Sequence, residues 1–321
     1  MIFLTCTTLV ILKNNSVEND DKKKEIELVN NSTDYQSDLQ LFEKTNEQIV
    51  PWGVKSLVIE DQLEQKNTNE RVKVAILDSG INVNHEDLSG KIVKEFNAIN
   101  PGQPIIDEFG HGTAVAGIIA ANNNKIGIKG MSANVEIYSV KVLDHKGKGN
   151  IESLIKGIRW CLEQKVQVIN VSFGMTSDNP ELRKVIDKAI NSGIIVVAAS
   201  GNNYGLGSDF PAGYKDVISV TAINKSYKKA SFSAKGKIDF SLPGVDILTT
   251  SKDGTYAQYS GTSLATAYMT GVVALILLKH NYYRIDMDNK NLPKDVMTLL
   301  KNHSIKLGNK EVYGYGFVRI Y

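Results

Sequence analysis

Cysteine is nearly missing from this chain. Of its 321 residues only Cys6 and Cys161 are cysteines, so a disulfide framework is excluded and neither has a neighbour for a metal knuckle. Charge of one sign is missing too. The 37 Lys+Arg stand against 35 Asp+Glu, a net +2, and no global field draws nucleic acid or an acidic surface. Long apolar runs are absent near the termini: Met1–Leu12 is too short to span a bilayer. No Lys or Arg precedes that run and no small-residue cleavage site follows it, unlike a secretory signal. The expectation is therefore a cytoplasmic protein without stable membrane insertion, a secreted or membrane-associated one being the alternative if Met1–Leu12 is the remnant of a signal. What is present is 42% apolar and 22% charged residues, enough to bury a substantial core in one large domain or two ordinary ones.

Two regions differ in composition. Residues 1–46 read as a polar tail with a short apolar start, expected to lack fixed structure; its Lys22–Lys24 run lies among acids and suits a solvated segment. From Glu47 to Tyr321, short β-branched runs (Val72–Leu77, Glu136–Val142, Val168–Ser172, Ile194–Ala199, Val217–Ala222) alternate with helical segments. The helices are expected at Gly112–Ala121, Ile151–Gln164, Pro180–Ser192, Thr262–Leu278 and Asp295–Lys301. Nearly continuous apolar strands separated by helices predict an α/β fold, a mostly parallel sheet covered on both faces. In such sheets the loops beyond the carboxyl ends of the strands carry the chemistry.

Three segments place one reactive side chain among glycines. Asp78 ends the apolar run Ala75-Ile76-Leu77, where an unpaired carboxylate is costly; a turn-capping Asp is the ordinary alternative. His111, between Gly110 and Gly112, opens an apolar helix and could be no more than a helix N-terminal residue. Ser263, in Ser260-Gly261-Thr262-Ser263, starts a long hydrophobic helix, where an N-cap serine is the ordinary explanation. The same helix N-terminus also stabilises developing negative charge and suits a nucleophile. Together the three supply a nucleophilic triad: a hydroxyl, a base to take its proton, and a carboxylate to hold the base's tautomer. The order Asp78, His111, Ser263 is that of subtilisin, and the G-x-S-x-G of an α/β-hydrolase is not found at Ser263.

From about Gln48 to the C-terminus the sequence resembles the subtilisin-like (subtilase) serine proteases. Three motifs carry the likeness: Asp78-Ser79-Gly80, His111-Gly112-Thr113-x-Val115-Ala116-Gly117 and Gly261-Thr262-Ser263-x-Ala265. The resemblance implies the three-layer subtilisin-like fold. It makes Asn202, in Ala198-Ala199-Ser200-Gly201-Asn202, the side-chain donor that holds the oxyanion with the Ser263 N–H. Ser172-Phe173-Gly174 and Gly147-Lys148-Gly149 correspond to the edges that sandwich an extended peptide by backbone hydrogen bonds. Asp209, before Phe210-Pro211-Ala212, stands where relatives have a glycine at the base of the S1 pocket. A carboxylate there would select Lys or Arg; a solvated loop aspartate is the alternative reading.

The likeness also implies structural calcium. Its ligands would be the Gln48 and Asn124 amides, Asp87, and the carbonyls of Asn122, Ile126 and Ile128, about six hard oxygens. Asp286-x-Asp288 is not an EF-hand loop, since the required Gly and Glu are missing. Three features depart from the family: Leu264 for the usual Met, Ala267 for the usual Pro, and only 46 residues before Glu47, fewer than the inhibitory pro-domain of secreted relatives. The Leu264-Ala265-Thr266 run, the acidic S1 residue and the missing long pro-domain resemble bacterial peptidases that remove leaders from lantibiotic precursors. The expectation is a monomeric serine endopeptidase cutting an extended precursor peptide after a basic residue. A general intracellular subtilisin and an inactive peptide-binding module on the same scaffold are the alternatives.

Overall fold

The structure, a computed structural model, describes residues 8–11, 27–30, 37–45, 47–58 and 70–320. Cys6, the Lys22–Lys24 run and all of Met1–Leu12 except Thr8–Ile11 lie outside the described residues. Thr8–Ile11 pairs antiparallel with Glu27–Asn30, Thr8 opposite Asn30.

Seven strands form one parallel sheet in the order Ile92–Asn97, Val135–Lys141, Val72–Asp78, Val168–Val171, Ile195–Ala199, Ile218–Ile223, Phe240–Pro243. Side chains alternate across it. Val72, Val74 and Ile76 face one apolar core with the His111–Ala120 and Thr262–Leu278 helices. Ala75 and Leu77 face the other, with Ile151–Gln164 and Pro180–Asn191. Both faces are covered, as nearly continuous apolar strands require. Cys161 is fully buried in the second core, and burial pushes its thiol well above the usual range, so it is packing material and not a nucleophile.

The seven-stranded sheet starts at the interior strand Val72–Asp78, adds two strands on one side, then four on the other. Its winding therefore changes direction at that strand, and Asp78 sits at its carboxyl end, where sheets of this kind place their ligand sites. Residues Thr262 to Leu277 are all buried, so this helix runs through the interior with its first turn at the same end of the sheet.

Within the polar stretch 1–46 the structure places a helix, Asp38–Lys44, started by a reciprocal cap between Ser37 and Gln40. Leu39 and Phe42 pack on Ala121, Ile128, Leu248 and Tyr256, and the Asp38 carboxylate accepts the Trp52 N–H (2.8 Å). Structure thus begins ahead of Glu47.

One interior charge carries a cost. Lys91 is 6% exposed, and burial, with a smaller push from Arg71, lowers its pKa to about 8. The folded state then binds this proton less tightly than the unfolded chain. The penalty is present in full below about pH 8 and fades as pH rises toward the ordinary lysine value. Lys91→Met should therefore raise stability at neutral pH by about 1–3 kcal/mol. Urea unfolding of both proteins checks it, and the gain should shrink in alkaline buffer.

Candidate active site

Asp78 and His111 meet across the switch in winding. The imidazole Nδ1 lies 2.8 Å from Oδ1 and 2.9 Å from Oδ2 of Asp78, whose side chain is 1% exposed. With Nδ1–H donating to the carboxylate, Nε2 is left as the basic nitrogen. The approach is made possible by Gly112: a Cβ there would sit 2.0 Å from the Gly80 carbonyl oxygen and 3.1 Å from the Asp78 Cβ. Burial favours the neutral imidazole, but the charge and hydrogen bond of Asp78, with the charge of Asp107, outweigh it and raise the His111 pKa.

Asp107 was not singled out from the sequence, although it braces this corner. It is 7% exposed, and its Oδ1 accepts the Ser79 hydroxyl and the Gly110 N–H, both at 2.7 Å. Its Oδ2 accepts the Thr113 N–H (2.9 Å) and hydroxyl (2.5 Å). The Ser79 hydroxyl in turn accepts the Gly112 N–H (3.0 Å). Asp107 thereby caps the helix that His111 opens and ties it to the residue after Asp78. The available signal was an Asp a few residues ahead of an apolar helix.

Ser263 lies in the first turn of its helix, with Gly261 at the cap, so it is not the N-cap residue. Its hydroxyl donates to the Ser172 carbonyl (2.6 Å), and no hydrogen bond joins it to His111. Such contacts are often loose without substrate. Asn202 is held by its carbonyl side: Oδ1 accepts the Thr262 N–H (3.1 Å) and hydroxyl (3.0 Å). That leaves the amide Nδ2 to donate. A Cβ on Gly261 would lie 3.5 Å from this Nδ2 and 3.8 Å from the Ser263 N, so the two donors flank one bare glycine.

Ser172, Phe173 and Gly174 follow the Val168–Val171 strand at the same end of the sheet. Among the described residues the Phe173 and Gly174 amides pair with no backbone carbonyl. Gly147 and Gly149 belong to the turn after Val135–Lys141, closed by Asp144 N–H to Lys148 carbonyl (2.8 Å). The Phe109 ring leans on Gly147, where a Cβ would come within 2.6 Å of it.

Asp209 lies between the Ser172–Gly174 and Ser200–Asn202 segments. A Cβ on Gly174 would be 2.6 Å from the Asp209 Cβ, and one on Gly201 would be 2.3 Å from Oδ2. The carboxylate accepts one side-chain hydrogen bond, a long one from Asn203 Nδ2 (3.3 Å), and no cation pairs with it among the described residues. Burial raises its pKa, partly offset by that hydrogen bond.

The six residues expected to hold a cation also come together. Gln48 Nε2 faces four oxygens: Asn122 O (2.7 Å), Ile126 O (2.9 Å), Asn124 Oδ1 (3.1 Å) and Ile128 O (3.2 Å). An amide has two hydrogens, so four acceptors around it exceed what it can satisfy. Asp87 is 0% exposed; its Oδ1 accepts from Asn124 (2.9 Å), and its Oδ2 from the Ile128 N–H (2.8 Å) and the Tyr256 hydroxyl (2.9 Å). Burial raises the Asp87 pKa despite these bonds. The loop follows the end of the His111–Ala120 helix.

The sequence profile of the subtilase family matches residues 69–316. Subtilisin amylosacchariticus of Bacillus subtilis subsp. amylosacchariticus is 40% identical over 280 residues, 85% of this chain and 71% of that protein. A subtilisin of Bacillus pumilus is 39% identical over 280 residues, 85% of this chain and 98% of its own. A thermostable alkaline protease of Halalkalibacterium halodurans is 34% identical over 297 residues, 92% of this chain and 79% of its own.

Proposed function

The chain belongs to the subtilase family and is a serine endopeptidase, and from that premise we propose that Ser263, His111, Asp78 and Asn202 carry its chemistry. On substrate binding the Ser263 hydroxyl leaves the Ser172 carbonyl and turns to His111. Nε2 takes its proton as Oγ bonds to the scissile carbonyl carbon. The carbonyl electron pair moves onto oxygen, where Asn202 Nδ2 and the Ser263 N–H hold it. Collapse breaks the C–N bond, and His111 protonates the departing amine. Water, deprotonated by the same imidazole, then hydrolyses the acyl-enzyme. The hydrogen bond of His111 Nδ1 to Asp78 (2.8 Å) carries this reading. A fluorophosphonate probe tests it: labelling should fall on Ser263 and vanish in Ser263→Ala, and an unlabelled wild type would reject it.

The substrate is proposed to be an extended peptide lying between Ser172–Gly174 and Gly147–Gly149, with a Lys or Arg side chain reaching Asp209. The under-bonded carboxylate in its glycine-walled slot supports that choice. Such selectivity suits a processing enzyme, such as one that removes leader peptides from lantibiotic precursors, better than a degradative one.

Gln48, Asp87, Asn122, Asn124, Ile126 and Ile128 fit calcium, because the set is oxygen-rich, carries one buried carboxylate and offers more acceptors than donors. A bound calcium would supply the positive charge this cradle lacks. Through Tyr256, which bonds Asp87 from the Tyr256–Tyr259 strand, the same residues brace the hairpin just ahead of Ser263. Excess chelator should lower the melting temperature and added calcium restore it, by roughly 3–4 kcal/mol if free calcium is 100–1,000 times its dissociation constant. A melt that ignores both would exclude the cation.

A further inference from the structure

Beneath the Asp78–His111 pair lies a buried lysine that the reaction outlined above does not use. Lys141 is 7% exposed and stands opposite Asp78 on the neighbouring strand. Its Nζ donates to two carbonyls, Ser79 O at 2.6 Å and Ile106 O at 3.0 Å. No carboxylate lies within ion-pair distance of it among the described residues. These two carbonyls have a particular meaning: Ser79 directly follows Asp78 and Ile106 directly precedes Asp107. One ammonium therefore joins the two segments that present both carboxylates to the start of the His111 helix.

The charges make the placement more than a tie. Asp78 is 1% exposed and Asp107 7%, and every bond to Asp107 comes from a neutral N–H or hydroxyl. Two buried carboxylates beside one imidazole leave an excess of negative charge that a low-dielectric site tolerates poorly. Asn97, paired with Lys141 on the other neighbouring strand, is neutral and bonds the Pro104 carbonyl (3.4 Å). The titratable groups facing this corner are thus Asp78, Asp107 and His111, with the exposed Lys252, whose stem packs on Gly110 and whose ammonium bonds the Glu108 carbonyl; Lys141 is the buried cation set among them.

We propose that Lys141 is a positioning residue of the hydrolytic reaction: its ammonium clamps the Ser79 and Ile106 segments together, fixing how Asp78 meets His111, and its charge balances the Asp78 and Asp107 carboxylates. A neutral side chain of equal length would lose both effects. The clamp sets geometry, so its loss should appear in kcat and leave KM nearly unchanged. The charge sets how tightly His111 holds a proton, so its loss should appear in the pH profile.

Lys141→Met, Lys141→Gln and Lys141→Arg separate the two effects. Each is compared with wild type by circular dichroism, by fluorophosphonate titration of active sites, and by kcat and KM against pH on one peptide substrate. Lys141→Met should lose roughly 10–100-fold in kcat per active site, the scale of a small misplacement of a catalytic group. Without the positive charge His111 keeps its proton to higher pH, so the acidic limb of kcat/KM should move upward. Lys141→Arg should return the limb to the wild-type position, whereas Lys141→Gln, a donor without charge, should regain part of kcat and leave the limb displaced. A folded Lys141→Met with wild-type kcat overturns the proposal. So does a loss of kcat with the limb unmoved, which would make Lys141 an ordinary structural tie. Should the Met variant fail to fold, the Gln variant is read by the same two criteria. Loss of Ser263 labelling in the wild type would instead count against the catalytic assignment itself.

Discussion

Alanine at position 263 should reduce peptide hydrolysis on the order of a million-fold, the loss known for a subtilisin deprived of its nucleophile, and His111→Ala should cost as much. The double variant should be no worse, since a nucleophile without its base is already inert. Ser263 is 9% exposed and its hydroxyl makes one hydrogen bond, to Ser172, so Ser263→Ala should change stability by only about 1 kcal/mol. Hydrolysis of a chromogenic peptide together with a thermal melt separates lost chemistry from lost folding. A folded variant with more than a few per cent of activity would rule Ser263 out. The pH dependence adds a second check. Burial pulls the His111 pKa down, but Asp78 and then Asp107 more than reverse this, so the base is freed at a higher pH than an ordinary histidine. Activity should therefore fall on the acid side from above the usual histidine value. Asp78→Asn should shift that limb downward while cutting kcat by about 10⁴, because the imidazole loses both its charge partner and its tautomer.

Asp209→Gly should reverse the preference for the residue whose carbonyl is cut. For Lys- or Arg-ending peptides kcat/KM should drop roughly 10–100-fold, the 1.5–3 kcal/mol of a hydrogen bond to a charged group in a half-buried slot. Phe- and Leu-ending peptides should gain, because an apolar side chain entering the wild-type slot must strip water from a carboxylate it cannot pair. Acidity should blunt the wild-type preference sooner than an exposed aspartate would allow. Burial raises the Asp209 pKa, so the carboxylate is neutralised at higher pH as conditions turn acid. A peptide set differing at that one position, assayed with both proteins, decides the matter. Equal cleavage of Arg and Phe peptides, unchanged by the substitution, would leave Asp209 a bystander and favour a general degradative role.

The buried parallel strands were plain in the sequence because burial on both faces writes an uninterrupted apolar run, as in Ala75-Ile76-Leu77 or Ile195–Ala199. The edge strand Ile92–Asn97 was not, since Lys94 and Glu95 are exposed there and break the run. Phe240–Pro243, the other edge, is four residues ending in proline and carries too little pattern to stand out. The helix Asp38–Lys44 escaped notice within a polar composition, although Ser37 and Gln40 spell its cap. Asp78, His111 and Ser263 were legible because short glycine-flanked motifs name them. Asp107 and Lys141 were not, because their roles arise from which backbone groups the fold brings beside them, and no local pattern records that. The Ser263 hydroxyl resting on Ser172 was equally invisible, since it depends on one rotation of a side chain.

The helix that begins beside Ser263 is enclosed from Thr262 to Leu277. A protease surrounded by its own copies is exposed to digestion wherever its backbone can loosen into an extended strand. Here the segment bearing the attacking group cannot loosen by itself; it yields only when the apolar layer around it comes apart. Self-destruction and melting should thus share one threshold, and a population losing activity on storage should pass from intact to unfolded chains without accumulating intact but disarmed ones.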